Sequence, residues 1–464
     1  MEARHVDSPP VTVQSLADVE AALAARWPES QLDPSLDRIR DLLDVLGDPQ
    51  TAVPVILVAG TNGKTSTARM IDALLHAFGL RVGRYTSPHL ESVTERISID
   101  GAPLPDDRFV TAYQELAPYL HLVDSRQEHP LSYFETLTAL AYAVFADAPV
   151  DVAVVEVGVG GTWDATNVAD AKVAVVTPVG LDHQAYLGDT VTEIAGEKAG
   201  IIGAGCVAVL AQQSLEAAEV LLRRVAEVGA TVAREGLEFG VVGRSLAVGG
   251  QVLELKGLAG DYDQIHLTLL GAHQAHNAAV ALAAVEAFLG GGGESLDIDL
   301  VRAGFAAVTS PGRLEVVRRG PTVLIDAAHN PDGARSLAAA LADDYAFDRL
   351  IGVVGVLADK DARGLLEALE PVLTHVVITR TSSPRALDPD NLAAVAVSVF
   401  GADRVSVSPR LADAIDAAIA LAEEDGEVAG SGVLVTGSVV TAGEARALLV
   451  RDVPTGQPRP ARRG

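Results

Sequence analysis

The strongest chemical signal in the chain is Gly60-Thr61-Asn62-Gly63-Lys64-Thr65-Ser66. An apolar run at 53–59, readable as a buried strand, precedes it. A stretch with helical spacing at 64–78 follows and stops at Gly79. Strand, glycine turn and helix start are the context a phosphate-binding loop requires. Glycines let the backbone approach phosphate oxygens, and the helix N-terminus offers free N–H groups and the positive end of its dipole. Lys64 would reach the β- and γ-phosphates, and the hydroxyls after it would touch magnesium. The glycines stand closer together than in the common Walker A loop, and the plainer reading is an ordinary glycine turn. A lysine here, in a chain that holds only five, weighs against that reading.

Glu156 ends a second apolar run, Val152-Ala153-Val154-Val155. A buried carboxylate needs a partner, and ligands of open α/β sheets bind at the carboxyl ends of strands. Glu156 therefore reads as a magnesium ligand facing the phosphate loop, with a structural salt bridge as the alternative. His183 follows the next apolar run, at 173–176; a loop histidine there is either structural or a ligand. Ser87, in Thr86-Ser87-Pro88-His89-Leu90, is by itself a turn or cap signal. Near the other end, Asp326 and His329 lie in Asp326-Ala327-Ala328-His329-Asn330-Pro331, where a strand gives way to a helix and Asn330 with Pro331 reads as its cap.

The elements that must position these groups alternate strand and helix. With 464 residues the chain is too long for one ordinary domain. Hydrophobic residues make up 49% but aromatics only 4%, so the cores are aliphatic, as parallel α/β sheets require. The expected architecture is an N-terminal P-loop doubly wound α/β domain, residues 1–311. It carries a small antiparallel patch at 230–269 and a closing helix at 272–289. A second, Rossmann-like α/β domain spans 312–453, with strands at 322–326, 350–354, 375–379, 404–407 and 432–436. Residues 1–50 read as amphipathic helix, and the tail 454–464 reads as disordered. A crevice between two such domains is a natural ligand site. The net charge of -27 argues against nucleic-acid binding. The single cysteine, Cys206, sits in an apolar run and reads as a buried strand thiol. No apolar run has membrane length, which points to a cytoplasmic protein with no membrane partner.

Taken together, the motifs resemble the folylpolyglutamate synthase/dihydrofolate synthase family, relatives of the Mur peptidoglycan ligases. The resemblance runs from about residue 32 to residue 440. It rests on the 60–66 loop, Thr86-Ser87-Pro88-His89-Leu90, Ser132-Tyr133-Phe134-Glu135 and Glu156-Val157-Gly158-Val159-Gly160-Gly161. Asp164-Ala165-Thr166-Asn167, Asp182-His183, Glu197-Lys198-Ala199-Gly200-Ile201, Pro311-Gly312-Arg313 and the 326–331 segment complete it.

The resemblance implies roles residue by residue. Thr61, Asn62, Gly63, Lys64 and Thr65 would hold ATP, joined by Asn277, Arg313 and Asp326. Ser87 and Glu156 would bind one of two Mg2+ ions, and His183 the second. Lys198 matches a lysine that the family carboxylates with CO2, against the plainer reading of a surface lysine at a helix C-terminus. Asp33, Pro34, Ser35, Ser132, Tyr133, Phe134, Glu135, Trp163, Asp164 and Ala165 match pterin-substrate segments, and His329 would assist the incoming glutamate. The family usually has Arg where this chain has Thr162. The implied reaction makes an acyl phosphate on a pterin or folate carboxylate, which the amine of L-glutamate then attacks, with the second domain closing to exclude water. A cell-wall Mur ligase and a P-loop switch are the competing readings. The 87–90 and 132–135 segments favour folate over the first, and Lys198 and the second domain are unexplained by the other.

Overall fold

The structure is a computed structural model describing residues 13–28, 34–424 and 430–450. Asp33 and the tail 454–464 lie outside the described residues. The chain divides into two units. The first runs to Thr268 and resumes over Ala272–Thr309; the second comprises Leu269–Gly271 and the chain from Ser310 onward. The division falls between Thr309 and Ser310, against the 311/312 boundary expected from sequence.

In the first unit, β1 (Val55–Ala59), β2 (Val82–Tyr85), β3 (Ile97–Ile99), β4 (Ala102–Pro103), β5 (Val152–Glu156), β6 (Ala171–Val176), β7 (Val207–Leu210) and β8 (Thr231–Arg234) form one sheet. Its order is β4-β3-β2-β5-β1-β6-β7-β8. From β2 to β8 all neighbours are parallel, while β3 and β4 add antiparallel edge strands. β1 and β5 are buried along their whole length, which explains their Val/Ile/Leu/Ala sequence, broken only by Glu156 at the end of β5. Val58 pairs with Glu156 and Ala59 with Val176, so the ends of β1, β5 and β6 emerge together on one edge. The chain leaves β1 for one side of the sheet and later returns to its other side, making β1 the switch point where ligands of such sheets bind.

The N-terminal region forms two described helices, Leu16–Ala24 and Asp37–Val45, whose Val19, Leu23, Ile39, Leu42 and Leu43 join the core under the sheet. The antiparallel patch is smaller than expected. It contains β9 (Gly240–Ala247), β10 (Gly250–Lys256) and β11 (Asp261–Leu267), whereas Thr231–Arg234 pairs in parallel with β7 as the edge of the main sheet. Cys206 is buried as expected, one residue ahead of β7.

The second unit is a six-stranded sheet. β12 (Glu315–Arg319), β13 (Thr322–Ile325), β14 (Arg349–Val354), β15 (His375–Arg380), β16 (Val405–Arg410) and β17 (Ser431–Thr436) lie in the order β12-β13-β17-β14-β15-β16. Only β12 is antiparallel. Gly271, from the short segment 269–271, donates its N–H to Asp344 Oδ2 at 2.7 Å. Among the described residues no helix is long and apolar enough to cross a membrane.

Candidate active site

The phosphate loop joins β1 to the helix Lys64–Ala77. Gly63 takes φ +90°, and a Cβ built there would fall 2.5 Å from Asn277 Oδ1, so only glycine fits. Lys64 folds back over the loop, its Nζ donating to the carbonyls of Gly60 and Thr61, each at 3.1 Å. Thr61 N–H donates to Pro178 O at 2.9 Å, Asn62 N–H to the same carbonyl at 3.5 Å, and Thr61 Oγ1 both donates to Gly180 O and accepts from Gly180 N at 3.0 Å. The loop after β6 is thereby fastened onto the phosphate loop. That loop ends at His183, which takes φ 52° and whose N–H donates to Asp182 Oδ1 at 2.8 Å.

Glu156 is 1% exposed, and both its carboxylate oxygens face this loop system. Thr65 Oγ1 donates to Oε1 at 2.9 Å, and Ser87 N–H to Oε2 at 3.3 Å. Asn277 is buried behind Gly63; its Nδ2 donates to Gln274 Oε1 at 3.1 Å, and Gln274 Nε2 to Ser66 Oγ at 3.3 Å. Gln274 is a site neighbour that sequence reading missed, because a glutamine inside the apolar helix Ala272–Gly290 carries no motif.

Lys198 is not a surface lysine. It lies in the last turn of the helix Val191–Ala199, 5% exposed. Burial, reinforced by the positive charge of Lys64, pushes its amine down to about 7, against the opposing pull of Asp182, Asp164 and Glu197. The Gly160-Gly161-Thr162 loop docks on this turn. A Cβ at Gly161 would meet Glu197 O at 2.5 Å and Lys198 Cα at 3.0 Å. Thr162 donates to Glu197 O from its N–H at 2.9 Å and from Oγ1 at 3.1 Å, so threonine makes a compact helix clamp where the family's arginine usually stands.

The pterin-type segments are only partly open. Ser132 and Glu135 form a reciprocal helix cap, and Arg38 Nε donates to Glu135 Oε1 at 3.1 Å. The Phe134 ring lies against Gly158, 2.6 Å from where a Cβ would stand. Asp164 is buried, accepting from Val159 N–H, Thr166 N–H and the Thr166 hydroxyl, and burial raises its carboxyl. It braces the loop after Glu156 and caps the turn that holds Ala165. Trp163 packs beside Gly160. Pro34 is exposed, and Ser35 Oγ accepts from Asp37 N–H at 3.0 Å.

In the second unit, Asp326 follows β13 directly. Its Oδ2 accepts from Leu314 N–H at 2.9 Å and its Oδ1 from Ala328 N–H at 2.8 Å. Burial raises its carboxyl, opposed first by the charge of Arg313 and more weakly by His329. His329 Nδ1 lies 3.0 Å from Ala327 O, so that nitrogen carries the proton. Asn330 Oδ1 caps the helix Pro331–Asp344.

Among the described residues no group of three His, Cys, Asp or Glu side chains is placed to hold a metal by itself. Glu156, with the Thr65 hydroxyl against it, is a hard oxygen set. That fits magnesium, which takes one or two carboxylates and completes its shell with phosphates and water.

Residues 58–285 match the Mur ligase middle domain, and residues 312–439 the Mur ligase glutamate ligase domain. Fold and site thus define an ATP-dependent ligase of the Mur type. The dihydrofolate synthase/folylpolyglutamate synthase of Mycobacterium tuberculosis is 54% identical over 465 residues, covering 96% of each chain. The structure of Mycobacterium tuberculosis folylpolyglutamate synthase complexed with ADP superposes with a TM-score of 0.90 at 56% identity, covering 94% of this chain and 98% of that one. An FPGS–AMPPCP–folate complex gives 0.80 at 34% identity, covering 94% and 100%. The chain belongs to the folylpolyglutamate synthase/dihydrofolate synthase family.

Proposed function

We propose that this ligase joins L-glutamate to dihydropteroate and to tetrahydrofolate and its polyglutamates, in the cytoplasm. The observation that carries the reading is the Lys64–Thr65–Glu156 cluster beside a buried lysine, within a chain whose relatives carry these activities in their names. In the first step a substrate carboxylate oxygen attacks the γ-phosphorus of ATP and ADP leaves. The N–H groups at the start of the helix Lys64–Ala77, with Lys64, would hold the phosphates in line and offset their charge. In the second, the glutamate amine attacks the acyl carbon, inorganic phosphate leaves, and the amine gives up a proton.

Thr65, Ser87 and Glu156 would hold one magnesium ion, which when bound supplies charge neutralisation at the β- and γ-phosphates. Lys198 with His183 would serve a second. For that role the Lys198 amine adds to CO2, forming an N–C bond and releasing a proton. A buried amine pushed down to about 7 is neutral often enough to react. Thr61 to Thr65, Asn277, Arg313 and Asp326 would contact ATP. Asp33 to Ser35, Ser132 to Glu135 and Trp163 to Ala165 would face the pterin, and His329 the incoming glutamate.

The test is turnover of labelled glutamate by the purified protein, first with dihydropteroate and then with tetrahydrofolate. Product from both is expected. No product from dihydropteroate removes the dihydrofolate synthase half of the proposal, and none from either removes the whole. Intact-mass measurement under 13C-labelled bicarbonate tests the carbamate, which should appear in the wild type and vanish in Lys198→Ala.

A further inference from the structure

Arg96 is a buried cation with no part in the chemistry above. It ends the short turn Val93–Arg96 and is 3% exposed. Its Nε donates to His89 Nδ1 at 3.0 Å. Its guanidinium carbon stands 5.1 Å from the centre of the Tyr133 ring. Its carbonyl accepts from Thr86 N–H at 2.9 Å. A guanidinium stays charged and can only donate, so His89 Nδ1 presents its lone pair. Burying such a charge is costly, and partners on two separate segments hold it there.

Both segments lead to Glu156. Ser87, between Thr86 and His89, donates its N–H to Glu156 Oε2. Tyr133 precedes Phe134, whose ring presses on Gly158, two residues beyond Glu156. One side chain therefore ties the loop bonded to the carboxylate to the turn packed against Gly158. A planar guanidinium can meet an aromatic ring while its Nε donates sideways to an imidazole; an ammonium gathers its charge and donors at one point and matches this pair of directions less well.

We propose that Arg96 is a positioning residue: it fixes the spacing between the phosphoryl-transfer groups at Glu156 and the acceptor-binding turn at Tyr133 and Phe134. This rests on the reading of residues 132–135 as an acceptor segment. A small misplacement of a bound carboxylate relative to ATP is enough to slow transfer strongly.

The experiment uses the full chain carrying Arg96→Met, Arg96→Lys, His89→Gln and the Arg96→Met/His89→Gln double change. Each substrate is varied separately, and the affinity for a non-hydrolysable ATP analogue is measured directly. Arg96→Met should lower kcat/KM for the pterin acceptor by about 30- to 100-fold. Affinity for the ATP analogue should stay within about twofold, Arg96→Lys should recover only part of the loss, and the double change should be less than additive. Unchanged acceptor kinetics in Arg96→Met overturns the proposal. So does a parallel fall in acceptor and nucleotide binding, which marks a merely structural role. If Arg96→Met does not fold, His89→Gln decides on the same terms, since it alters the imidazole that accepts from Arg96 and leaves the guanidinium in place. Wild-type protein that glutamylates neither acceptor overturns the acceptor reading itself, a result distinct from any variant's behaviour.

Discussion

Glu156 and Lys64 bring opposite charges to the site, one as a buried carboxylate accepting from Thr65 and Ser87, the other as a cation folded over the phosphate loop. Glu156→Gln keeps the shape and removes the charge. Both it and Lys64→Ala should lower kcat by about 100- to 1,000-fold, the range for losing one preorganised charge contact, with circular dichroism unchanged. Lys198 makes a second, less obvious prediction. Its amine is lowered from 10.5 to about 7 in the folded chain and regains its ordinary value on unfolding. Between those values the unfolded chain binds the extra proton. Stability therefore rises with pH across that window and sits at its low plateau below about 7. In CO2-free buffer near neutral pH, Lys198→Met should thus melt a few degrees higher than the wild type while losing ligation. A lower melting temperature would show that the amine is well solvated. Such a trade of stability for activity is usual where a site holds a desolvated charge.

At the scale of elements, the phosphate loop shows how one turn is fixed by a distant helix. Gly63→Ala would drive a Cβ toward Asn277 at a backbone angle that disfavours side chains. ATP affinity should fall at least about tenfold, because the loop N–H groups can no longer converge; titration calorimetry with an ATP analogue reads this. The strand–loop–helix at 55–77 was legible in sequence because an unbroken apolar run, a glycine turn and a helical period succeed one another there. β12 was not, since three of the five residues of Glu315–Arg319 are charged and the segment reads as loop. Thr231–Arg234 alternates in the same way whether it joins an antiparallel patch or the edge of a parallel sheet, so only pairing decides it. The motif residues 132–135 and 163–165 were visible as types. Their sequence does not reveal that Glu135 is held by its own cap and by Arg38, or that Asp164 spends its carboxylate on its own loop. Arg96 and Gln274 escaped notice because a lone arginine or glutamine has no period or spacing to mark it.

For the molecule as a whole, sequence composition spoke truly about fold class: few aromatics, abundant aliphatics and two alternating series gave two α/β units. It could not show that the units are threaded rather than simply strung in series. The chain enters the second unit at Leu269, leaves after Gly271, and returns for good at Ser310. That detour has a practical consequence for anyone wishing to cut the protein in two. A single protease nick between Thr309 and Ser310 breaks the covalent join, yet the upstream fragment still carries Leu269–Gly271 as a part of the downstream unit, with Gly271 bonded to Asp344. A fragment produced from Ser310 onward would lack that piece and its Gly271 N–H bond to Asp344, and should melt at a lower temperature than the same unit in the uncut chain.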